Sequence, residues 1–341
     1  MLNIIWFILW GLLWAVYFML DGFDLGLGTQ LPLYARNDTE RRMVYNAMGP
    51  FWDGNEVWLI TAGGATFAAF PKTYAVMFST LYTPLLLLLF ALILRGVSFE
   101  FRSKVESPAW RKIWDVCMVV GSFLPALLLG VAFANIFKGI PFDAQGMMHG
   151  NLLTLLNPYG IVGGLFFLFF FLMHGTIWVI IKTDGEPAAR GRRCAGIRWI
   201  MVLVIAVVFL VHSAFATTLY NNYLANPVLF AVPVLAVVSL VLVRVFMARN
   251  MWWKAWFASS AFIVLSTFFG IIGLYPNMYP SSLDPNASLT LWNASSSPLT
   301  LKIMLTVVLI FVPLVILYQI WVYHTFRHPV TADIIHDEEA Y

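Results

Sequence analysis

The stretch "IIWFILWGLLWAVYFMLDGFDLGLG", residues 4–28, decides what kind of molecule this is. Its first part is apolar throughout and suits a helix in lipid, yet Asp21 and Asp24 follow, three residues apart and therefore on one helical face. An acid at mid-bilayer costs about 2.5 to 3.5 kcal/mol on insertion scales, so neither is placed there without a partner or a use. The rest of the chain agrees with the lipid reading. Of its 341 residues, 61% are hydrophobic and 11% charged, with a mean hydropathy of +0.82. A soluble domain is roughly 25% charged, so the chain reads as an integral membrane protein, and no nucleic-acid partner is expected. The first 20 residues hold no Lys or Arg and no small-residue cleavage site, which marks a retained membrane helix and not a signal peptide. Cys117 and Cys194 have neither the number nor the spacing of a disulfide framework or a zinc site, and no metal site is expected.

A membrane helix needs about 20 apolar residues, and nine segments meet that length. They lie at 3–30, 51–70, 74–95, 113–137, 158–181, 197–219, 227–247, 254–275 and 300–326. The second is the weakest, because "WDGNEVWLITAGGATFAAFP" opens with polar residues and contains Gly63-Gly64; Pro50 and Pro71 mark its ends. All of the 20 basic residues except Lys72, Lys138 and Lys302 fall on one side of the nine-segment arrangement. The positive-inside rule then puts the N-terminus outside and the C-terminus in the cytoplasm. Every loop is short, the longest outer one spanning 276–298, so the chain has no soluble catalytic domain and its chemistry occurs at membrane depth. Gly22 and Gly26, like Gly63, Gly64, Gly163 and Gly164, allow helices to approach closely.

The polar residues at depth carry the functional signal. Asp21 and Asp24 lie toward the cytoplasmic, C-terminal end of the first helix, where the helix dipole disfavours a carboxylate. The second helix starts on the same side, with Asp53 and Glu56 three apart near its N-terminus, where the dipole favours the anion. Two acid pairs of opposite bias at one depth form the arrangement that stepwise proton transfer requires. Arg95, ending the third segment, is a natural counter-ion, and Trp52 offers a flat wall for a quinone ring or an interfacial anchor. The competing reading is structural: Asp53 as a helix cap, and Asp24 held by Arg95 in a packing pair. His174 and His212 are each alone in an apolar helix and read as hydrogen-bonded packing residues more than as haem ligands. His149 lies in an outer loop, and His324, His328 and His336 in the cytoplasmic tail.

Five stretches, "DGFDLGLG" (21–28), "RNDTERR" (36–42), "FWDGNEVWLITAGGATFAAFP" (51–71), "FEFRSK" (99–104) and "NASLTLWNASSSPLTLKIM" (286–304), resemble in order subunit II of the cytochrome bd-type quinol oxidases of prokaryotic respiratory membranes. The resemblance runs from the first helix to the ninth, and the block at 46–71 is its most specific part. It implies an all-α polytopic membrane fold of two four-helix bundles plus a peripheral helix, in the prokaryotic cytoplasmic (inner) membrane. It also implies a haem-bearing subunit I as partner, in a complex that oxidises quinol outside and reduces dioxygen to water, generating a proton gradient without pumping. Haem b and haem d belong to subunit I, so this chain is expected to hold no haem and, alone, to catalyse nothing.

Asp53 matches the family acid implicated in a cytoplasmic proton path at the subunit interface, while Asp24 and Arg95 match polar residues of the same region. Asp21 and Glu56 join them on spacing alone. Trp52 and Arg95 are candidates to line a pocket for a structural quinone, and a small single-helix accessory subunit and membrane lipids are further expected partners. Two other classes compete. A secondary transporter should show repeated halves with paired helix interruptions, and the acids at depth are confined here to the first two helices. A free-standing membrane haem protein would need His174 or His212 as ligands.

Overall fold

The computed structural model describes residues 1–333 and is helical almost throughout. Helix α1 (Leu2–Thr29) takes up the whole opening stretch. A single turn, α2 (Leu31–Tyr34), and an amphipathic helix, α3 (Asp38–Met48), follow it. Asn37 starts α3 by accepting from the Glu40 N–H at 2.9 Å, a capping bond worth about 1 kcal/mol. Next come α4 (Trp52–Ala69), α5 (Pro71–Thr80) and α6 (Tyr82–Phe101). The segment expected at 74–95 is therefore two helices. Pro84 has no N–H to offer the Thr80 carbonyl, so the helix stops at Thr80 and restarts at Tyr82, continuing past Arg95 to Phe101.

The remaining helices are α7 (Pro108–Lys138), α8 (Leu152–Leu155), α9 (Pro158–Lys182), α10 (Gly185–Ala216) and α11 (Tyr220–Ala225). A 3-10 turn at Pro227–Phe230 leads into α12 (Ala231–Ala248), followed by α13 (Trp252–Leu274) and α14 (Pro298–Thr325). Proline at the first helical position opens α5, α7, α9 and α14, where its missing N–H costs nothing. Helix α10 begins a dozen residues before the expected 197 because its polar start is held from outside the span. Arg190 donates to both carboxylate oxygens of Glu40, at 2.7 and 3.1 Å, and the Asp184 side chain caps Gly185. Those arginine hydrogen bonds hold the Glu40 carboxyl below the ordinary carboxylate range.

Among the described residues, eight helices are long and apolar enough to cross a membrane: α1, α6, α7, α9, α10, α12 with its preceding turn, α13 and α14. The ninth expected segment is present as α4, 18 residues long, but its polar first turn leaves it less apolar than the other eight. Helix α9 is the hub, buried along nearly its whole length against α1, α7, α10 and α13. Interlocking rings fill the space around it, with Phe18 set edge-on against Phe133 and Phe167 at centroid distances of 5.1 and 4.9 Å. By contrast α14 lies at the edge of the molecule against α1 and α4, and Leu301 is its one buried residue.

The loop at 276–298, expected on the outer side, departs from a purely helical expectation. Asn277–Tyr279 (β1) pairs antiparallel with Leu289–Thr290 (β2), and Met278, Tyr279, Leu289 and Leu291 are buried beneath the turn. Backbone groups enclosed this way need partners, and the short ladder supplies them.

The approach of α1 to α9 is set by glycine. A Cβ on Gly26 would run into the Phe171 carbonyl, and one on Gly175 would meet the Phe23 carbonyl at 2.7 Å. Neither obstacle can move without shifting a helix. Gly26→Val is expected to destabilise the protein by at least the roughly 1 to 3 kcal/mol typical of overpacking. Thermal unfolding of the purified protein, followed by loss of helical circular dichroism, measures it, and an unchanged midpoint would contradict this account of the α1–α9 contact.

Candidate functional site

The acids of α1 and α4 meet α6 in one place. Because Asp21 and Asp24 share a face of α1, both are carried to the seam that α1 forms with α4, and Arg95 enters it from α6. Asp21, Asp24 and Arg95 are fully buried. Arg95 grips Asp21 with both terminal nitrogens, Nη2 to Oδ1 at 2.7 Å and Nη1 to Oδ2 at 3.1 Å. This is the forked geometry that makes Arg–carboxylate pairs both strong and directional. Asp24 Oδ2 lies 3.9 Å from Nη2, and Glu56 Oε2 lies 3.6 Å from Nη1, too far in each case for a hydrogen bond.

Arg95 thus takes its hydrogen-bonded ion pair with Asp21, and its contact with Asp24, the pair of the packing reading, is the longer one. Asp24 is held instead by Asn55, whose Nδ2 donates to Oδ2 at 2.7 Å, and Asn55 Oδ1 in turn accepts from the Tyr323 hydroxyl at 3.0 Å. Four buried polar atoms around the cluster have no hydrogen-bond partner among the described residues: Tyr17 Oη, Asp24 Oδ1, Glu56 Oε2 and Arg95 Nε. Buried polar atoms are rarely left this way, and four of them gather at this one point. Three carboxyls converge on a single guanidinium, one of them in a closed fork and two at longer range.

Asp53 is not among them. It sits in the first turn of α4 on the exposed outer face, one turn before Glu56, while Phe51 occupies the cap position with no side-chain capping bond. Its side chain is exposed, unlike the buried Asp21 and Asp24. Trp52 stacks flat on Phe99, with centroids 4.9 Å apart and planes 4° from parallel. His174 bonds to the Ser259 hydroxyl at 2.6 Å and the Met19 carbonyl at 3.1 Å, tying α9 to α13 and α1. His212 meets Tyr159 edge-on at 5.2 Å. Among the described residues no three His, Cys, Asp or Glu side chains converge as a metal site would require, and His336 lies outside those residues.

Asn55, Tyr17 and Tyr323 belong to the site but carry no charge, so nothing in their sequence context set them apart. Asn55 alone had a signal, as the neutral polar residue between Asp53 and Glu56 on an otherwise apolar helix.

A second feature lies further along α4. An apolar groove of about 570 Å³ opens between α4, α5, α6 and α7, lined among others by Trp14, Gly63, Gly64, Phe67, Tyr74 and Phe78. A Cβ on Gly63 or Gly64 would meet nothing within 4 Å, and the buried Trp14 indole N–H has no partner among the described residues. Neither Trp52 nor Arg95 lines this groove.

Fold and site together define a multi-pass helical membrane protein with a buried cluster of ionisable groups. The family described as cytochrome bd terminal oxidase subunit II matches residues 2–326, and the chain belongs to that family. It is 37% identical to the cytochrome bd-I ubiquinol oxidase subunit 2 of Escherichia coli K12, covering 94% of this chain and 93% of the relative. It is also 37% identical to the cytochrome bd ubiquinol oxidase subunit 2 of Bacillus subtilis, with 97% of each covered. The solved structure of the bd oxidase from Geobacillus thermodenitrificans contains a chain of the same fold, with a TM-score of 0.79 at 15% identity over 95% of this chain and 98% of that one.

Removing one partner of a buried ion pair costs about 3 to 5 kcal/mol, because the other charge is left uncompensated. Arg95→Leu, which strands Asp21 beside two more carboxyls, is therefore expected to abolish accumulation of the folded protein. Arg95→Leu combined with Asp21→Leu should recover part of it. Membrane-fraction yield measures both, and a wild-type yield for the single variant would mean that the fork does not hold the site together.

Proposed function

We propose that this chain is subunit II of a quinol oxidase that reduces dioxygen to water, and that it works only when assembled with a haem-bearing subunit I in the prokaryotic cytoplasmic membrane. On this reading α4 is the ninth crossing, the basic loops face the cytoplasm, and the helices form two four-helix bundles with α14 peripheral. Haem b and haem d belong to the partner. A small single-helix accessory subunit and lipids complete the surroundings.

This chain's part in the reaction is a cytoplasmic proton path. Dioxygen reduction consumes protons, and drawing them from inside while quinol releases its own outside charges the membrane without pumping. The observation that carries this reading is the convergence of Asp21, Asp24 and Glu56 on Arg95 in a buried seam, with Asp53 one turn away on an outward face. Asp53 would receive the proton at the covered face of α4, Glu56 would pass it inward, and Arg95 would keep the neighbouring carboxyls poised. A transporter reading gains little from the described residues, since the acids that converge on Arg95 come from α1 and α4 alone and the other buried acid of a long helix, Asp115 on α7, is closed off by Arg41 and Arg102.

A structural quinone, expected beside Trp52 and Arg95, has a second candidate place in the apolar groove. The groove has an apolar lining suited to an isoprenoid tail and the Trp14 N–H is a free donor for an oxygen of the ring, while Trp52 and Arg95 are engaged with Phe99 and Asp21.

Asp53→Asn and Asp24→Asn in the assembled oxidase are each expected to keep haem content normal while lowering quinol-driven oxygen consumption and inside proton uptake by more than about tenfold, or roughly 1.4 kcal/mol of barrier. Normal turnover in both would move the proton path elsewhere. Gly64→Leu fills the groove where a side chain meets no obstacle, so the complex should assemble and yet retain less quinone through purification. Quinone extracted per haem reads this out, and an unchanged ratio would place the quinone outside the groove.

A further inference from the structure

We infer that Tyr323, on the peripheral helix α14, is a positioning residue for Asp24 and acts through Asn55. Helix α14 turns mostly apolar side chains outward, from Ile303 and Ile310 to Leu317 and Trp321. Among its polar residues, Gln319 and Tyr323 lie four apart and so on one face. Both are directed at the first turn of α4. Gln319 accepts from the Trp58 indole N–H at 3.0 Å and donates to the Gly54 carbonyl at 3.0 Å. Tyr323 donates to Asn55, and Asn55 donates to Asp24.

With Asp24 ionised, the order of donors in this chain follows from the groups themselves. A carboxylate oxygen can only be met by the amide NH₂ of Asn55, which turns the amide oxygen the other way, and a hydroxyl is the donor that satisfies it there. The hydroxyl in turn has a fixed place. The Tyr323 ring lies 4.7 Å from Phe51 and 5.9 Å from Trp178, centroid to centroid. Just beyond, the Lys182 ammonium donates to the carbonyls of Phe326 and His328, and Val330 N–H donates to the Lys182 carbonyl at 2.8 Å. The end of α14 is thereby pinned to the end of α9, and the tyrosine cannot drift from Asn55 without breaking that anchor.

Other ionisable groups also surround Asp24: Asp21 and Tyr17 on its own helix, Glu56 on α4 and Arg95 on α6, while α9 brings His174, which is held by Met19 and Ser259. None of them hydrogen-bonds to Asp24, so the Asn55 amide is its directional contact and Tyr323 sets that amide. The consequence for turnover rests on the proton path proposed above; the positioning itself does not.

Tyr323→Phe in the assembled oxidase keeps the ring and removes the hydroxyl, while Gln319→Ala loosens α14 from α4 without touching Asn55. Infrared difference spectra locate the carboxyl band that Asp24→Asn removes. Tyr323→Phe is expected to shift that band and to lower oxygen consumption roughly threefold or more at normal haem content, the order of loss that misplacing a reacting group brings. Gln319→Ala is expected to leave the band in its wild-type place. The inference is overturned if Tyr323→Phe leaves the band unmoved, or if Gln319→Ala moves it as far. Should Tyr323→Phe fail to assemble, fluorotyrosine at 323 keeps the hydroxyl but changes its donor strength, and an unmoved band there overturns the inference equally. A shifted band with undiminished turnover in Asp24→Asn would sink the proton path and leave the positioning intact.

Discussion

The fork between Arg95 and Asp21 is the constraint on which the interior arrangement turns. Both groups are fully buried, and taking two such charges out of water costs several kcal/mol each before their attraction is counted. That cost is offset only where geometry is good, and here both terminal nitrogens of Arg95 meet both oxygens of Asp21. The pair fixes the rotation of α6 against α1. Once that rotation is set, Glu56 is drawn to within 3.6 Å of the guanidinium and Asp24 to within 3.9 Å, without either closing a hydrogen bond to it. A single strong pair therefore holds two weaker ones at a distance from which they can respond to each other's charge.

Much of this was legible in the sequence because charge at membrane depth is conspicuous. Asp21, Asp24, Glu56 and Arg95 stood out for what they cost in lipid, and the structure brings them together. Which acid takes the arginine was not legible, since Asp21 and Asp24 share a face and spacing alone cannot choose between them. The break at Thr80 was written in Pro84 but hidden by the apolar run around it. Asn55 and Tyr323 were missed because a neutral polar residue on an apolar helix looks like any other interfacial side chain until its partner helix is placed. The two-strand ladder in the outer loop escaped notice because it answers a need for backbone partners that arises only after folding.

Helix α4 shows why the weakest membrane segment is also the most informative. Its 18 residues divide into a polar first turn, gripped by Gln319 and Tyr323 of α14 and facing Arg95, and an apolar remainder that carries Gly63 and Gly64. A helix made uniformly apolar would cross lipid more cheaply, but it could place neither an acid beside Arg95 nor an open wall along the groove. The low hydropathy that sets α4 apart from the eight other candidate spans is thus the cost of two features held on one element.

The same division explains the peripheral helix. Helix α14 has Leu301 as its one buried residue and otherwise packs only part-buried side chains such as Met304, Val308 and Val312 on the core, so its apolar contact is slight. In lipid, where apolar surface gives no driving force for association, hydrogen bonds and close packing hold helices together. The bonds at Gln319 and Tyr323, with the Lys182 anchor below them, supply that hold at one end. An element held chiefly by such bonds lies where it does because of them. Since the bond from Tyr323 ends on the residue that holds Asp24, that one contact of α14, and not its seating as a whole, is tied to the orientation of a buried carboxyl.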